Sequence, residues 1–251
     1  MKHLREVSVD APPALVHAAW PAAFPWLIQG CTTRGVGLEH PYDLGLFSDA
    51  SPVRHVLRHW EHLRATTGQA RVAHAHQVHG AHVRFHESGS PGLHLSEPCD
   101  GHATTAPGLL LGITTTDCVP VYVVDPENRA VAVLHAGWRG AAAGVLEQGL
   151  EVLGEWVGTD AARVHLHLGP AICGRCYEAG PEVFEALEQP VPARPMPLDL
   201  RAVIAERAID FGIPRDQVTL SEHCTRCTGS GLFSHRAGDR ERQVAYIGIR
   251  A

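Results

Sequence analysis

The chain has 251 residues, 45% of them hydrophobic, which is enough for a substantial hydrophobic core. Its formal net charge is −6, and its lysines and arginines are scattered, so it lacks the basic stripe of a nucleic-acid-binding protein. Residues 1–20 lack the apolar segment of a signal peptide, and no later run approaches the ~20 apolar residues of a membrane span. We expect a cytoplasmic protein whose partner is a small molecule, with no nucleic acid and no membrane.

Apolar periodicity and turn residues predict strands and helices that alternate along the chain. In the clearest helix, Val53, Trp60 and Leu63 share one face and Gly68 supplies the stop. The predicted elements are a helix over 52–68, two strands within 109–125, a strand over 130–134, a helix over 139–156, a strand over 164–168, helices over 181–188 and 199–211, and a last strand over 244–249. This order, without a low-complexity linker, predicts a single mixed α/β domain over residues 1–251.

Three metal-competent residues stand at the edges of apolar runs. His79 follows one run, Cys118 lies at the polar turn between two others, and His135 ends a strand just before a helix rich in small residues. A catalytic zinc takes three protein ligands from His, Cys and carboxylate and keeps a fourth position open. The three residues fit that set, although their spacing also allows three buried polar residues without a metal.

The sequence offers a second group of metal-competent residues. Cys173 with Cys176 and Cys224 with Cys227 form two C-x2-C pairs, which can build a closed four-cysteine structural zinc site. An odd total of seven cysteines argues against a disulfide framework. Because the two pairs are farther apart than in a zinc ribbon, four reduced thiols are the alternative.

Two H-x-H pairs, at His74 and His76 and at His165 and His167, are of the kind that occurs in multicopper oxidases. Such enzymes also need a blue-copper cysteine and usually an all-β chain, so the interleaved helices disfavour this function. His165 and His167 are instead predicted to form the outward polar face of one strand.

Two arginines are candidates for binding an anion. Arg139 lies beside the start of a predicted helix, where a guanidinium suits a phosphate group. Arg34 is the second candidate, and for both the alternative is an ordinary surface arginine. The loop aspartates Asp43, Asp100 and Asp117 are candidate polar groups of the same pocket, or else turn formers.

Six motifs occur in a fixed order. They are QVHG (77–80), TTDCVPV (115–121), HAGWRG (135–140), LGPAICGRCYE (168–178), the pair Cys224-Thr225, and FSHR (233–236). Together they resemble the bacterial family formerly described as laccase-domain or multicopper polyphenol oxidases. Its members are now described as purine nucleoside phosphorylases with adenosine deaminase activity, and some are named peptidoglycan editing factors. The likeness extends from about residue 28 to the end of the sequence.

The resemblance implies a fold and a cofactor. The fold is a four-layer α-β-β-α sandwich related to the catalytic domain of cytotoxic necrotizing factor. The cofactor is one catalytic zinc ion held by His79, Cys118 and His135. The implied partners are inorganic phosphate and the nucleosides adenosine, inosine, guanosine and methylthioadenosine, and the protein is expected to be a monomer or a small homo-oligomer.

The candidate catalytic residues are Arg34, Gln77, Asp100 and Arg139. The arginines are expected to hold phosphate and Asp100, or else His76, to protonate the departing base, whereas the zinc activates water for deamination. A peptidoglycan-precursor editing hydrolase and a copper polyphenol oxidase are the alternative functions. The sequence departs from the family pattern at Asp43, where asparagine is common, and at His235, where tyrosine is common.

Overall fold

The computed structural model describes residues 1–35, 37, 39–227 and 229–251. Over these residues it contains sixteen strands and six α-helices, numbered in chain order. The strands are β1 (Lys2–Leu4), β2 (Val7–Asp10), β3 (Pro13–Val16), β4 (Leu27–Thr32), β5 (Arg71–Ala75), β6 (Val83–His86), β7 (Gly92–Ser96), β8 (Gly101–Thr104), β9 (Leu109–Thr115), β10 (Val119–Asp125), β11 (Ala130–Ala136), β12 (His165–Leu168), β13 (Glu178–Ala179), β14 (Met196–Pro197), β15 (Val218–Ser221) and β16 (Gln243–Ile249). The helices are α1 (Trp20–Ala23), α2 (Val53–Thr66), α3 (Trp138–Ala142), α4 (Val145–Val157), α5 (Pro181–Ala186) and α6 (Leu200–Asp210). No helix of the described residues combines the length and the apolar character needed to cross a membrane.

Two seven-stranded sheets form the centre of the molecule. Sheet 1 has the order β1-β15-β12-β10-β11-β8-β6, and sheet 2 has the order β2-β3-β4-β16-β9-β5-β7. Both sheets mix parallel and antiparallel pairs: β10 and β11 are antiparallel, for example, whereas β5 lies parallel to both of its neighbours. The remaining strands, β13 and β14, form a separate two-stranded ribbon.

The sheets pack face to face, and helices cover their outer faces. Leu111 of β9, Val133 of β11 and Ile247 of β16 meet in the apolar layer between the sheets. Trp60 of α2 packs on the outer face of sheet 2, and α4, α5 and α6 pack on sheet 1, as Leu150 of α4 illustrates. The central strands are continuous apolar runs because both of their faces are buried. The result is a mixed α/β fold in four layers, α-β-β-α, as expected.

Three crossings from sheet 2 to sheet 1 occur at the same end of the sandwich. Strands β5, β7 and β9 are parallel neighbours and so end together. From there, residues 76–82 lead to β6, residues 97–100 lead to β8, and residues 116–118 lead to β10. Strand β11 is antiparallel to both β8 and β10 and therefore ends where they begin. This topology gathers four chain segments that are distant in sequence.

Several predicted elements are confirmed, with boundaries shifted by one to three residues. The helix over 52–68 is α2, and the strands within 109–125 are β9 and β10, which belong to different sheets. The predicted Asp199 cap of α6 is present, since its carboxylate accepts hydrogen bonds from the backbone N–H groups of Arg201 and Ala202. Strands β1 to β8 were not predicted, because most are short and lack a clear alternation of apolar residues.

Two predictions are wrong. The helix over 139–156 is broken into α3 and α4 because Gly144 adopts a left-handed conformation with φ of +83°. The outward polar face over 164–168 is also absent, since His167 is fully buried and its Nε2 lies 3.1 Å from Glu6 Oε1. The rings of Trp20 and Tyr122 lie against this histidine, each with its centroid 5.8 Å away.

Candidate metal centre

Two of the sheet crossings carry His79 and Cys118, and they meet His135 at the end of β11. Their ligand atoms all lie within 4.8 Å of one another. The donor atoms of a tetrahedral zinc site are separated by roughly 3.4–3.8 Å, so small side-chain shifts suffice for the three to share one ion. His135 is buried, Cys118 is half-buried and His79 is exposed, so the group is open to solvent on one side. Two imidazoles and one thiol form a donor set that can hold a metal ion and keep an open coordination position.

Asp100 orients the deepest of these three side chains. Asp100 is fully buried, and its Oδ1 accepts a hydrogen bond of 3.0 Å from Nδ1 of His135. The backbone N–H of His135 also donates to the carbonyl oxygen of Asp100, at 2.7 Å. With Nδ1 committed in this way, His135 presents Nε2 as its ligand atom, in the arrangement usual for a metal-binding histidine backed by a carboxylate.

The same carboxylate also shapes the loop that carries His79. The consecutive backbone N–H groups of Val78, His79 and Gly80 donate to the Asp100 oxygens at 3.1, 2.9 and 2.8 Å. These bonds hold His79 in a left-handed conformation with φ of +60°, which costs about 1–2 kcal/mol for a residue other than glycine. Burial acts to raise the pKa of Asp100, but the hydrogen bonds from His135 and the loop keep that pKa below its ordinary value. Both oxygens are thus occupied, so the geometry of Asp100 fits a positioning residue better than the predicted proton donor.

Cys118 lies in the crossing from β9 to β10. Asp117, the residue before it, has φ of +77°, and Thr115 Oγ1 donates to the carbonyl oxygen of Cys118 at 2.7 Å. Burial raises the pKa of the Cys118 thiol, but the neighbouring His135 and His79 outweigh it and lower that pKa to about 6. Conversely, burial lowers the pKa of His135, while Cys118 and Asp100 raise it to about 9. Without a metal, the pair therefore shares one proton near neutral pH, mainly on the imidazole.

Gln77 fastens the loop of His79 to the end of β9. Its Oε1 accepts hydrogen bonds from the backbone N–H and the hydroxyl of Thr114, at 2.8 and 2.7 Å. Its Nε2 donates to the carbonyl oxygen of Thr114 at 2.8 Å. Both the oxygen and the nitrogen of the side-chain amide are therefore bonded to Thr114, which ties the loop of His79 to β9 just before the Cys118 crossing.

A pocket of about 280 Å³ opens above the three candidate ligands. This volume is close to the lower end of the range of small-molecule sites, about 300–1,000 Å³. Its wall is formed by Gly45, Phe47, Ser48, His76, Gln77, Thr114, Thr115, Thr116, His235 and Arg242, together with His79, Cys118 and His135. A larger groove of about 1370 Å³ lies elsewhere on the described surface, and none of the three candidate ligands lines it.

The predicted arginines lie outside the wall of this pocket. Arg34 donates to the carbonyl oxygen of Leu232, pairs with Asp239 and lies 4.6 Å from the ring centroid of Phe233. Arg139 is exposed, and its guanidinium stacks on the neighbouring Trp138 at 4.2 Å.

Sequence reasoning missed several side chains of the pocket wall, among them Arg242 and Phe47. The backbone N–H of Arg242 donates to Asp43 Oδ1 at 2.9 Å, which links the pocket to the residue where asparagine was expected. The sequence signal for Arg242 was its position as a basic residue directly before the last strand, at the end of sheet 2 where the site lies. Phe47 gave no such signal, because it stands in a loop without regular pattern.

Comparison with known proteins identifies the family. A family model described as multi-copper polyphenol oxidoreductase laccase matches residues 29–250. The chain belongs to this family. The match covers the elements that build the site, from β4 to β16.

Relatives with assigned names include two phosphorylases and a deaminase. The chain is 33% identical over 229 residues to a purine nucleoside phosphorylase of Deinococcus radiodurans, covering 87% of each chain. It is 31% identical over 193 residues to purine nucleoside phosphorylase YlmD of Geobacillus stearothermophilus, covering 69% of this chain and 70% of the relative. It is 34% identical over 151 residues to adenosine deaminase RL5 of an unknown prokaryotic organism, covering 56% of this chain and 57% of the relative.

Solved structures share the fold. The structure of YlmD from Geobacillus stearothermophilus superposes with a TM-score of 0.88 at 25% identity, over 100% of both chains. The structure of the protein YfiH from Bacillus licheniformis superposes with a TM-score of 0.85 at 26% identity, over 96% of this chain and 98% of the other. The four-layer arrangement is therefore common to these relatives.

We expect Asp100→Asn to weaken zinc binding by roughly 10- to 100-fold, the usual effect of losing the group that orients a metal ligand. The amide nitrogen of asparagine cannot accept the hydrogen bonds that backbone N–H groups donate to the carboxylate. Competition with a chromogenic chelator measures the affinity. The matched control is Asp125→Asn, because Asp125 is equally buried but lies at the far end of β10. Equal zinc affinity in Asp100→Asn and the wild type would contradict the orienting role.

Zinc binding should release about one proton per ion between pH 7 and 8.5, because the proton shared by Cys118 and His135 must leave. Affinity should then rise about tenfold per pH unit in this window, which lies between the pKa of Cys118 near 6 and that of His135 near 9. Calorimetry in buffers of different ionisation enthalpy counts the protons. Affinity independent of pH across this range would show that the pair is already fully deprotonated.

Proposed function

We propose that this chain is a zinc-dependent purine nucleoside phosphorylase with adenosine deaminase activity. Its proposed substrates are inorganic phosphate and adenosine, inosine, guanosine or methylthioadenosine. The observation that carries the proposal is the group of His79, Cys118 and His135, two of which are oriented by Asp100, in the wall of a pocket of about 280 Å³. The names of the phosphorylase and deaminase relatives support the same function.

The donor chemistry favours zinc over the copper named in the family description. A trigonal site of two histidines and one cysteine also suits blue copper, usually with a weak axial methionine. The chain has only two methionines, and Met196, which is 46% exposed in the β14 ribbon, does not line the pocket. The H-x-H pairs offer little support for further copper ions, since His74 and His167 are fully buried and bonded to Gly112 and Glu6.

A zinc ion held by these three residues would supply Lewis acidity and activate water for the deamination of adenosine. The chain's own groups prepare the site for that chemistry. Asp100 fixes the tautomer of His135 and the loop of His79, and Gln77 fixes the distance between that loop and the turn of Cys118. To bind zinc, Cys118 must be a thiolate and both His79 and His135 must be neutral.

Phosphorolysis needs cationic groups for phosphate and a proton donor for the departing base. Arg242 lines the pocket, and we assign it to phosphate binding. Arg139 and Arg34 stay proposed phosphate contacts, although neither lines the pocket and Arg34 is paired with Asp239. His76 also lines the pocket and is the proposed proton donor, in place of the fully engaged Asp100.

Phe47 is the proposed platform for the purine base. Its side chain is 53% exposed although it lines the pocket, and its ring centroid lies 4.7 Å from that of His76. An exposed aromatic ring at a pocket mouth offers a face for stacking, which contributes about 1–3 kcal/mol per base. The base would then lie above the metal group, with Phe47 on its outer side.

The reaction is tested by chromatography of adenosine incubated with the purified protein, with and without phosphate. Adenine formed only with phosphate indicates phosphorolysis, and inosine formed without it indicates deamination. We expect Cys118→Ala to lose the zinc of this site and at least 100-fold of the deaminase rate. Cys99→Ala, a buried cysteine outside both metal groups, is the matched control. Full deaminase activity in Cys118→Ala would overturn the assignment.

Two further assays, with other substrates, test the alternative functions. Release of an amino acid from a peptidoglycan precursor without phosphate would support the editing hydrolase instead. Oxygen consumption with phenols, together with bound copper, would support the polyphenol oxidase. Either result in the absence of nucleoside turnover would replace the proposed function.

Phe47→Ala should raise KM for adenosine roughly tenfold or more, because the base loses its stacking surface. Zinc content should stay unchanged, since Phe47 is not among the candidate ligands. Phe47→Tyr keeps the aromatic face and should restore a KM near that of the wild type. A KM unaffected by Phe47→Ala would show that the base binds elsewhere.

A further inference from the structure

The sulfur atoms of Cys173, Cys176, Cys224 and Cys227 lie within 4.8 Å of one another, and all four residues are free thiols. We propose that these four cysteines bind a second zinc ion, which has a structural role and clamps two loops that are both bonded to Asp117, the residue before Cys118. The proposal is independent of the reaction that the pocket carries out. It rests on the meeting of the two cysteine pairs, on the backbone geometry around them and on a neighbouring arginine.

The fold brings the two cysteine pairs together by parallel pairing. Strands β12 and β15 are parallel neighbours, with Leu168 opposite Leu220. The segments that follow them leave the sheet on the same side, and Ala171 forms a parallel bridge with Cys224. The pairs thus meet in space although two helices separate them in sequence. This is the reason why a spacing unlike that of a zinc ribbon still yields one cluster.

The local backbone suits metal ligation. The N–H groups of Cys176 and Tyr177 both donate to the carbonyl oxygen of Cys173, at 2.9 and 3.0 Å, so a tight turn places both thiols of this pair on one side. The backbone N–H of Cys173 donates to the sulfur of Cys224 at 3.2 Å. Such N–H contacts are the outer interactions that hold a ligating sulfur in place.

A metal explains the arrangement better than disulfides do. Cys176 and Cys227 have their sulfur atoms 3.9 Å apart, compared with about 2.05 Å in a disulfide and roughly 3.8 Å across a tetrahedral zinc site. Four soft thiolates without another donor type favour zinc in a closed site. Cys227 is exposed and Cys224 is buried, so the site lies at the surface and is accessible to an entering ion.

A neighbouring arginine partly offsets the charge of such a site. One Zn²⁺ with four thiolates carries a net charge of −2. Each C-x2-C pair contains an arginine directly before its second cysteine, Arg175 and Arg226. The guanidinium of Arg226 donates to the carbonyl oxygen of Cys176 at 3.2 Å, which places one positive charge beside the opposite pair. Arg226 therefore offsets part of the negative charge of the cluster.

The clamp acts on the residue before Cys118. Thr225, next to Cys224, donates its hydroxyl hydrogen to Asp117 Oδ1, and the N–H of Ile172, next to Cys173, donates to the carbonyl oxygen of Asp117 at 3.0 Å. The backbone N–H of Arg236 donates to Asp117 Oδ2 at 2.8 Å. Each cysteine pair therefore has a neighbour bonded to Asp117. Fixing the two pairs relative to each other fixes the turn that presents Cys118.

The decisive experiment counts zinc per chain in protein purified from zinc-supplemented cells. We expect about two ions in the wild type, about one in the double variant Cys176→Ser and Cys227→Ser, and about one in His135→Ala. The control Cys99→Ser should keep both ions. The double variant should also melt at a lower temperature than the wild type. A wild-type content of one zinc that the double variant retains would overturn the proposal.

A second measurement uses the folded His135→Ala chain, in case the double variant does not fold. Replacement of its remaining zinc by cobalt should give the intense visible bands of a tetrahedral site with four thiolates. A mass about 4 Da lower without reductant, which indicates two disulfides, would overturn the proposal, as would the absorption of an iron–sulfur cluster. A wild-type content of one zinc that His135→Ala keeps and the double variant loses would support this inference and refute the metal at His135, so the two metal assignments fail separately.

Discussion

The arrangement of the candidate active site depends on one buried carboxylate. Asp100 lies at the end of a sheet crossing, where its two oxygens accept three consecutive backbone N–H groups and the Nδ1 of His135. A buried carboxylate left without these donors would cost several kcal/mol, so the loop must close around it. The same bonds stabilise the left-handed conformation of His79 and the orientation of His135. Two of three candidate ligands are thereby positioned before any ion binds.

The four-layer fold explains why the site lies where it does. Three successive strands of sheet 2 end side by side, and each continues into sheet 1 at the same end of the sandwich. The backbone must turn sharply there, and short polar residues such as Asp117 accommodate the turn. The loops are held on both sides by buried sheets, which makes them rigid enough to position a metal.

Asp117 links the four-cysteine cluster to the group of His79, Cys118 and His135. Its carboxylate and carbonyl oxygens bind groups next to both C-x2-C pairs, and the next residue is Cys118. An ion in the four-cysteine cluster would thus stabilise the turn that presents a ligand to the other ion.

The sequence by itself determined the mixed α/β class, helix α2 and the central apolar strands, because these depend on local periodicity. It also determined the three candidate ligands, because histidine and cysteine at the ends of apolar runs are residue types that bind metals. The family likeness added the order of the motifs. Only the tertiary structure decided that Asp100 supports the ligands, that Arg242 and Phe47 line the pocket, and that the C-x2-C pairs meet. The physical reason is that these features depend on strand order and on contacts between segments distant in sequence. Local pattern is insensitive to such contacts, as the buried His167 shows.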